Sequence, residues 1–85
     1  MKHIIVNFNV FDLNQNVYVY DNGVCVKQTK VPLYQVTDII ATLSNEYDIK
    51  QIDLYGNEDF LSRFKAQMGT NFNFAECEIN IIQKN

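Results

Sequence analysis

Pro32 separates two hydrophobic periodicities in this chain. Before it, apolar residues recur at every second position. Directly after it, they recur every three or four. Residues two apart share a face only in a strand, whereas residues three and four apart share a face in a helix. The first third of the chain is therefore predicted as strands, and a helix opens the middle third. Proline suits the boundary, because it has no N–H to give to a ladder.

Ile4, Val6, Phe8 and Val10 alternate with Ile5, Asn7, Asn9 and Phe11, which predicts a first strand over about 3–11. Asp12-Leu13-Asn14-Gln15-Asn16 reads as the turn, since Asx side chains hydrogen-bond their own backbone. A second strand, 17–20, alternates valine with tyrosine. Asp21-Asn22-Gly23 predicts a tight hairpin, because Asn-Gly accepts positive φ at low cost. A third strand follows from Val24 to residue 30 or 31, and its lysines suit a sheet edge.

From about Gln35, the stripe Val36, Ile39, Ile40, Leu43 and Tyr47 predicts a helix with Thr37 and Asp38 near its start. A fourth strand covers about 49–55, and Gly56 ends it. Asn57 is a good N-cap, with Glu58 and Asp59 in the favourable first turn. Phe60, Leu61, Phe64 and Met68 form the second helical stripe, which Gly69 is expected to close in a left-handed conformation. The last strand is expected over about 72–82. Ala75, Cys77, Ile79 and Ile81 share one face of it; Phe74, Glu76, Glu78, Asn80 and Ile82 share the other.

The order is βββαβαβ in one domain over 85 residues, without repeat or linker. Right-handed crossovers place the strands in the order 3-2-1-4-5. The expected fold is α/β (α+β), a five-stranded mixed sheet with two helices on one face. This succession resembles the ribonuclease H-like fold, and also one half of the actin and sugar-kinase type of ATPase, which shares that core. The resemblance is topological and spans nearly the whole chain.

Ribonuclease H-like nucleases hold divalent metals between carboxylates from strand one, the first helix and strand four. The resemblance points to Asn7 and Asn9, Glu46 and Asp53 at those places. Asparagine is a neutral ligand and cannot supply the charge that holds two dications. The ATPases need glycine-rich phosphate loops, and residues 12–16 contain no glycine. His3 is the only histidine, so no zinc set is present. No catalytic residue, metal or cofactor is expected. Asp53 is expected as an ordinary sheet carboxylate, paired with Lys50 or a lysine on a neighbouring strand.

Net charge is −3, too mild a field to gather nucleic acid or anionic lipid. No apolar run reaches the length of a membrane span, and Asn7 and Asn9 interrupt the first one where a leader would be unbroken. Cys25 and Cys77 lie in alternating runs and are expected as buried free thiols in a reducing, cytoplasmic setting.

What remains is recognition through surfaces. Tyr18 and Tyr20, two apart on one strand, are good interface material. Phe74 is expected beside them, with Lys27, Glu76 and Glu78 as a polar rim. The sequence leaves open whether this set or Val17 and Val19 faces outward. Residues 31–60 carry only Lys50 against Asp38, Glu46, Asp48, Asp53, Glu58 and Asp59. If Asp38, Glu46, Asp48, Glu58 and Asp59 share a surface, it could meet a basic partner. The expected function is a non-enzymatic protein–protein interaction module, forming a homodimer or regulating a separate protein. The alternative is a reduced ribonuclease H-like, metal-dependent nucleic-acid enzyme.

Overall fold

The alternation before Pro32 folds as three strands, β1 (Lys2–Asn7), β2 (Asn14–Asp21) and β3 (Val24–Pro32). The structure is a computed structural model and describes residues 2–9, 11–70, 74 and 76–83. One 3-10 turn, Leu33–Gln35, leads into α1 (Val36–Tyr47). Then come β4 (Gln51–Gly56), α2 (Glu58–Gly69) and β5 (Glu78–Gln83). The sheet order is β3-β2-β1-β4-β5, as the crossover rule predicts. β1 pairs antiparallel with β2 and parallel with β4, so it forms the centre of the sheet.

Both helices cover the same face. Ile4, Val6, Val17, Val19, Ile52 and Leu54 point into that layer and are at most 1% exposed. Val36, Ile40 and Leu43 of α1 meet them, as do Leu61, Phe64 and Met68 of α2. Phe8 plugs the junction, with its ring edge-on to Phe60 at 5.2 Å and to Phe64 at 4.9 Å. Asn22 and Gly23 take φ of 52° and 84°, the two positive values a type I′ hairpin requires. Asn57 caps α2 by accepting from Phe60 N–H at 3.1 Å.

The element ends differ from the sequence pattern where hydrogen bonds outrank alternation. β1 stops at Asn7 because Asn9 turns the chain through its bonds to Phe11 and Asp12, ahead of the expected 12–16. Asn9 makes that turn: its Oδ1 accepts from Phe11 N–H and its carbonyl from Asp12 N–H. Asn14, Gln15 and Asn16 therefore belong to β2. Val10 lies outside the described residues, as do 71–73 and Ala75 of the expected last strand. β5 begins only at Glu78, because Phe74 turns into the core and its carbonyl accepts from Cys77 N–H. At the start of α1, Gln35 is the N-cap without a side-chain cap bond, and Thr37 and Asp38 lie in the first turn, as expected. Gly69 is not left-handed: Thr70 closes α2 by donating from Oγ1 to the Gln67 carbonyl at 2.8 Å. The left-handed cap falls instead on Asp48, φ 54°, after α1. Among the described residues no helix is long and apolar enough to cross a membrane.

Candidate interaction surface

The strand registers lay out the uncovered face in rows across the sheet. Tyr20, His3, Gln51 and Glu78 form one row. Gln28, Tyr18, Ile5, Asp53 and Asn80 form the next, and Lys30, Asn16, Asn7, Tyr55 and Ile82 the third. The question the sequence left open is thus resolved. Val17 and Val19 face the helices, while Tyr18 and Tyr20 lie half-buried on the open face. Their rings stand 6.3 Å apart, and His3 stacks on Tyr20 at 5.7 Å.

Only part of the expected rim joins them. Glu78 lies on the open face beside Gln51. Lys27 pairs with Val19 and so sits on the helix side of the sheet edge. A β-bulge between Val19 and Tyr20 then shifts the register, so that Tyr20 meets Cys25. Glu76 is in the turn before β5 and pairs with Lys50 at 3.7 Å, an exposed contact worth little. Phe74 is 3% exposed inside the core rather than on an edge strand, and its carbonyl accepts from Cys77 N–H.

Asp53 lies at the centre of the open face, yet it is only 8% exposed. Two amides hold it, rather than Lys50. Gln51 Nε2 donates to both carboxylate oxygens at 3.1 and 3.2 Å, and Asn80 Nδ2 donates to Oδ1 at 3.0 Å. Glu46 is exposed on α1, on the other side of the sheet, so the two carboxylates weighed for a metal do not converge. At the strand-one position stands a cleft of about 170 Å³ lined by Asn7, Phe8, Asn9, Asp12 and Asn16, amide-rich rather than acidic. Among the described residues no three His, Cys, Asp or Glu side chains group as metal ligands.

The acidic residues do not share one surface. Both helices run antiparallel to β1 and β4, so their N-terminal carboxylates, Asp38, Glu58 and Asp59, lie at one end of the sheet. Glu46 and Asp48 close α1 at the opposite end. There Asp48 joins Lys2, Asp21, Tyr47 and Lys50 around a shallow groove of about 390 Å³, where the charges are mixed.

Cys25 is exposed, and Cys77 is half-buried; neither is disulfide-bonded. The expectation of two buried thiols therefore fails at Cys25, which belongs to the sheet's edge strand next to its hairpin. Burial pushes the Cys77 thiol up, Lys50 pulls against that rise, and Glu76 adds to it. The side chains that sequence reasoning passed over are Phe11, Leu13, Leu33 and Tyr34, all exposed. The sequence pattern places Phe11 within a strand and Leu13 within a turn, and gives Leu33 and Tyr34, between Pro32 and the first helix, no assignment. The available signal was a phenylalanine and a leucine flanking Asp12 in an otherwise amide-rich turn.

No protein-family model, curated protein or solved structure matches this chain. The ribonuclease H-like resemblance rests on strand order alone.

Proposed function

We propose that this chain is a non-enzymatic protein–protein interaction module that pairs with a second copy through its uncovered sheet face. The observation that carries the reading is the self-complementarity of that face about its central strand. β1 is the middle of five strands. A twofold axis along β1 lays β2 of one copy over β4 of its partner. Tyr18 and Tyr20, whose hydroxyls donate, then stand opposite the acceptors Asp53 and Gln51. Ile5 and His3 on β1 meet their own counterparts.

Five strands about 4.8 Å apart and six residues long cover roughly 20 by 24 Å. That is about 480 Å², below the roughly 800 Å² per partner that stable interfaces use and in the range of weak, transient ones. The pairing is therefore reversible and concentration-dependent. Two free thiols, one of them exposed, suit a reducing compartment such as the cytoplasm.

Light scattering across concentration tests the reading. The expected result is a mass that climbs from monomer to dimer and does not depend on magnesium. Tyr18→Ala with Tyr20→Ala should hold the protein at monomer mass with its helical circular dichroism retained. A native chain that stays monomeric to about millimolar concentration, where even weak pairs form, sinks the proposal. So does a double variant that dimerises as well as the native chain.

A further inference from the structure

We infer that the end of the sheet where β2 begins and β3 ends is a docking site for a basic amphipathic helix of another protein. The outermost ladder pair there is Asn14 with Pro32. One residue further out on each strand stand Leu13 and Leu33, with Phe11 in the preceding loop and Tyr34 in the following 3-10 turn. Phe11 is 93% exposed, Leu13 91%, Tyr34 80% and Leu33 39%. Isolated apolar side chains on a surface need no explanation, but four large ones at the same end of so small a sheet are what a docking partner would cover.

The platform is pre-formed. Gln15, 2% exposed, accepts from Asn9 N–H at 2.6 Å and donates from Nε2 to the carbonyls of Asn9 and Asp12 at 3.0 and 3.1 Å. The loop that carries Phe11 and Leu13 is thereby tied to β2, so binding orders little backbone. Apolar anchors on a firm base are what an amphipathic helix seats against.

Charge selects the occupant. Asp12 lies between Phe11 and Leu13, and exposed Asp38 lies in the first turn of α1, just past Tyr34. Glu58 and Asp59 begin α2 at this same end, and Lys30 is set against these four carboxylates. Two copies meeting end to end would bring like charges together. An anionic bilayer would be repelled. A helix with Lys and Arg flanking its apolar stripe fits both features, and the carboxylates steer its approach.

The test uses the full-length protein and two synthetic helices of about 18 residues, long enough to hold helical structure. They share one Leu/Phe face; one is flanked by Lys and Arg, the other by Glu. Amide chemical shifts and fluorescence anisotropy are the readouts. The Lys/Arg helix should perturb residues 11–13 and 33–38 and bind at least about tenfold more tightly than the Glu helix. Phe11→Ser with Leu13→Ser should weaken it at least about tenfold, at unchanged melting temperature, since both side chains lie in water. Asp12→Asn with Asp38→Asn should weaken it and flatten its salt dependence. Tyr18→Ala with Tyr20→Ala should leave it unchanged, so this site stands or falls apart from self-association. Equal binding of the two helices, shifts centred on the tyrosine face, no shifts from the Lys/Arg helix, or binding to phosphatidylcholine or phosphatidylglycerol vesicles in preference to it would each overturn the inference.

Discussion

Three hydrogen bonds from one side-chain amide, that of Gln15, fix where β1 ends and β2 begins. The sequence pattern puts residue 15 in a turn and leaves open which way Val17 and Val19 face, so its burial was not legible; only with β2 extended back to Asn14 does alternation carry it inward beside them. Its partners were not legible either, because they are backbone groups of a loop whose path the amide itself sets. Removing it takes a partner from the Asn9 N–H and from the Asp12 carbonyl, while the Asn9 carbonyl keeps the Asp12 N–H. Gln15→Ala should therefore cost about 1–3 kcal/mol, read from denaturant unfolding. A loss under about 0.5 kcal/mol would mean that water satisfies the loop as well as the amide does. The cysteines were legible as free thiols but not as unequal ones, because their difference comes from edge against half-covered positions. Cys25 should react with a thiol reagent well before Cys77, whose thiolate is disfavoured by burial. Cys25→Ser should remove the fast phase alone; a single rate for both thiols would contradict this. The raised Cys77 value also fixes a sign. Its contribution to stability is present below the unfolded thiol range and is lost as pH climbs through the folded value.

Strand β4 passes into α2 across Gly56 and Asn57, and the two residues do different work. Asn57 caps the helix, which its type and the acidic first turn predict from sequence. Gly56 takes φ 156°, and a Cβ there would stand 3.2 Å from Phe8 Cβ and 3.4 Å from the Phe8 carbonyl oxygen. Phe8 is held by Phe60 and Phe64 and has little room to retreat. Gly56→Ala should therefore destabilise by about 2–3 kcal/mol, combining backbone strain with overpacking. Gly69→Ala, helical and with nothing within 4 Å of an added Cβ, is the control and should be neutral or slightly stabilising. Equal melting temperatures for the two variants would show that the Phe8 contact yields freely. The contrast explains what elements reveal in advance. Periodicity and caps are written in neighbouring residues, so α1, α2 and β4 read clearly. The ends of β1, β2 and β5 depend on Gln15 and Phe74, whose partners are set by the folded chain rather than by the local pattern.

The strand order followed from crossover handedness, and the outward tyrosines then follow from which face the helices cover. The charges did not follow in the same way. A run of carboxylates from 38 to 59 looks like one surface in sequence, but two helices running back along the sheet carry its members to opposite ends. This arrangement gives the two proposals a joint consequence. A twofold axis along β1 preserves strand direction, so both Phe11 and Leu13 ends of the dimer point the same way. Sheets packed face to face lie about 10 Å apart, so the two ends are neighbours. A tandem probe, two Lys/Arg helices joined by a flexible Gly/Ser linker, can then engage both. It should bind the native protein about 100-fold more tightly than a single helix, because the second contact is intramolecular. With Tyr18→Ala and Tyr20→Ala the gain should fall to about the twofold expected from two equivalent sites on one ligand, while the single-helix affinity stays as it was. A gain that survives in the monomeric variant would mean that the tandem probe bridges sites on one chain, and the twofold arrangement would be wrong. A drop in single-helix affinity would mean that the tyrosine face and the apolar end form one site rather than two.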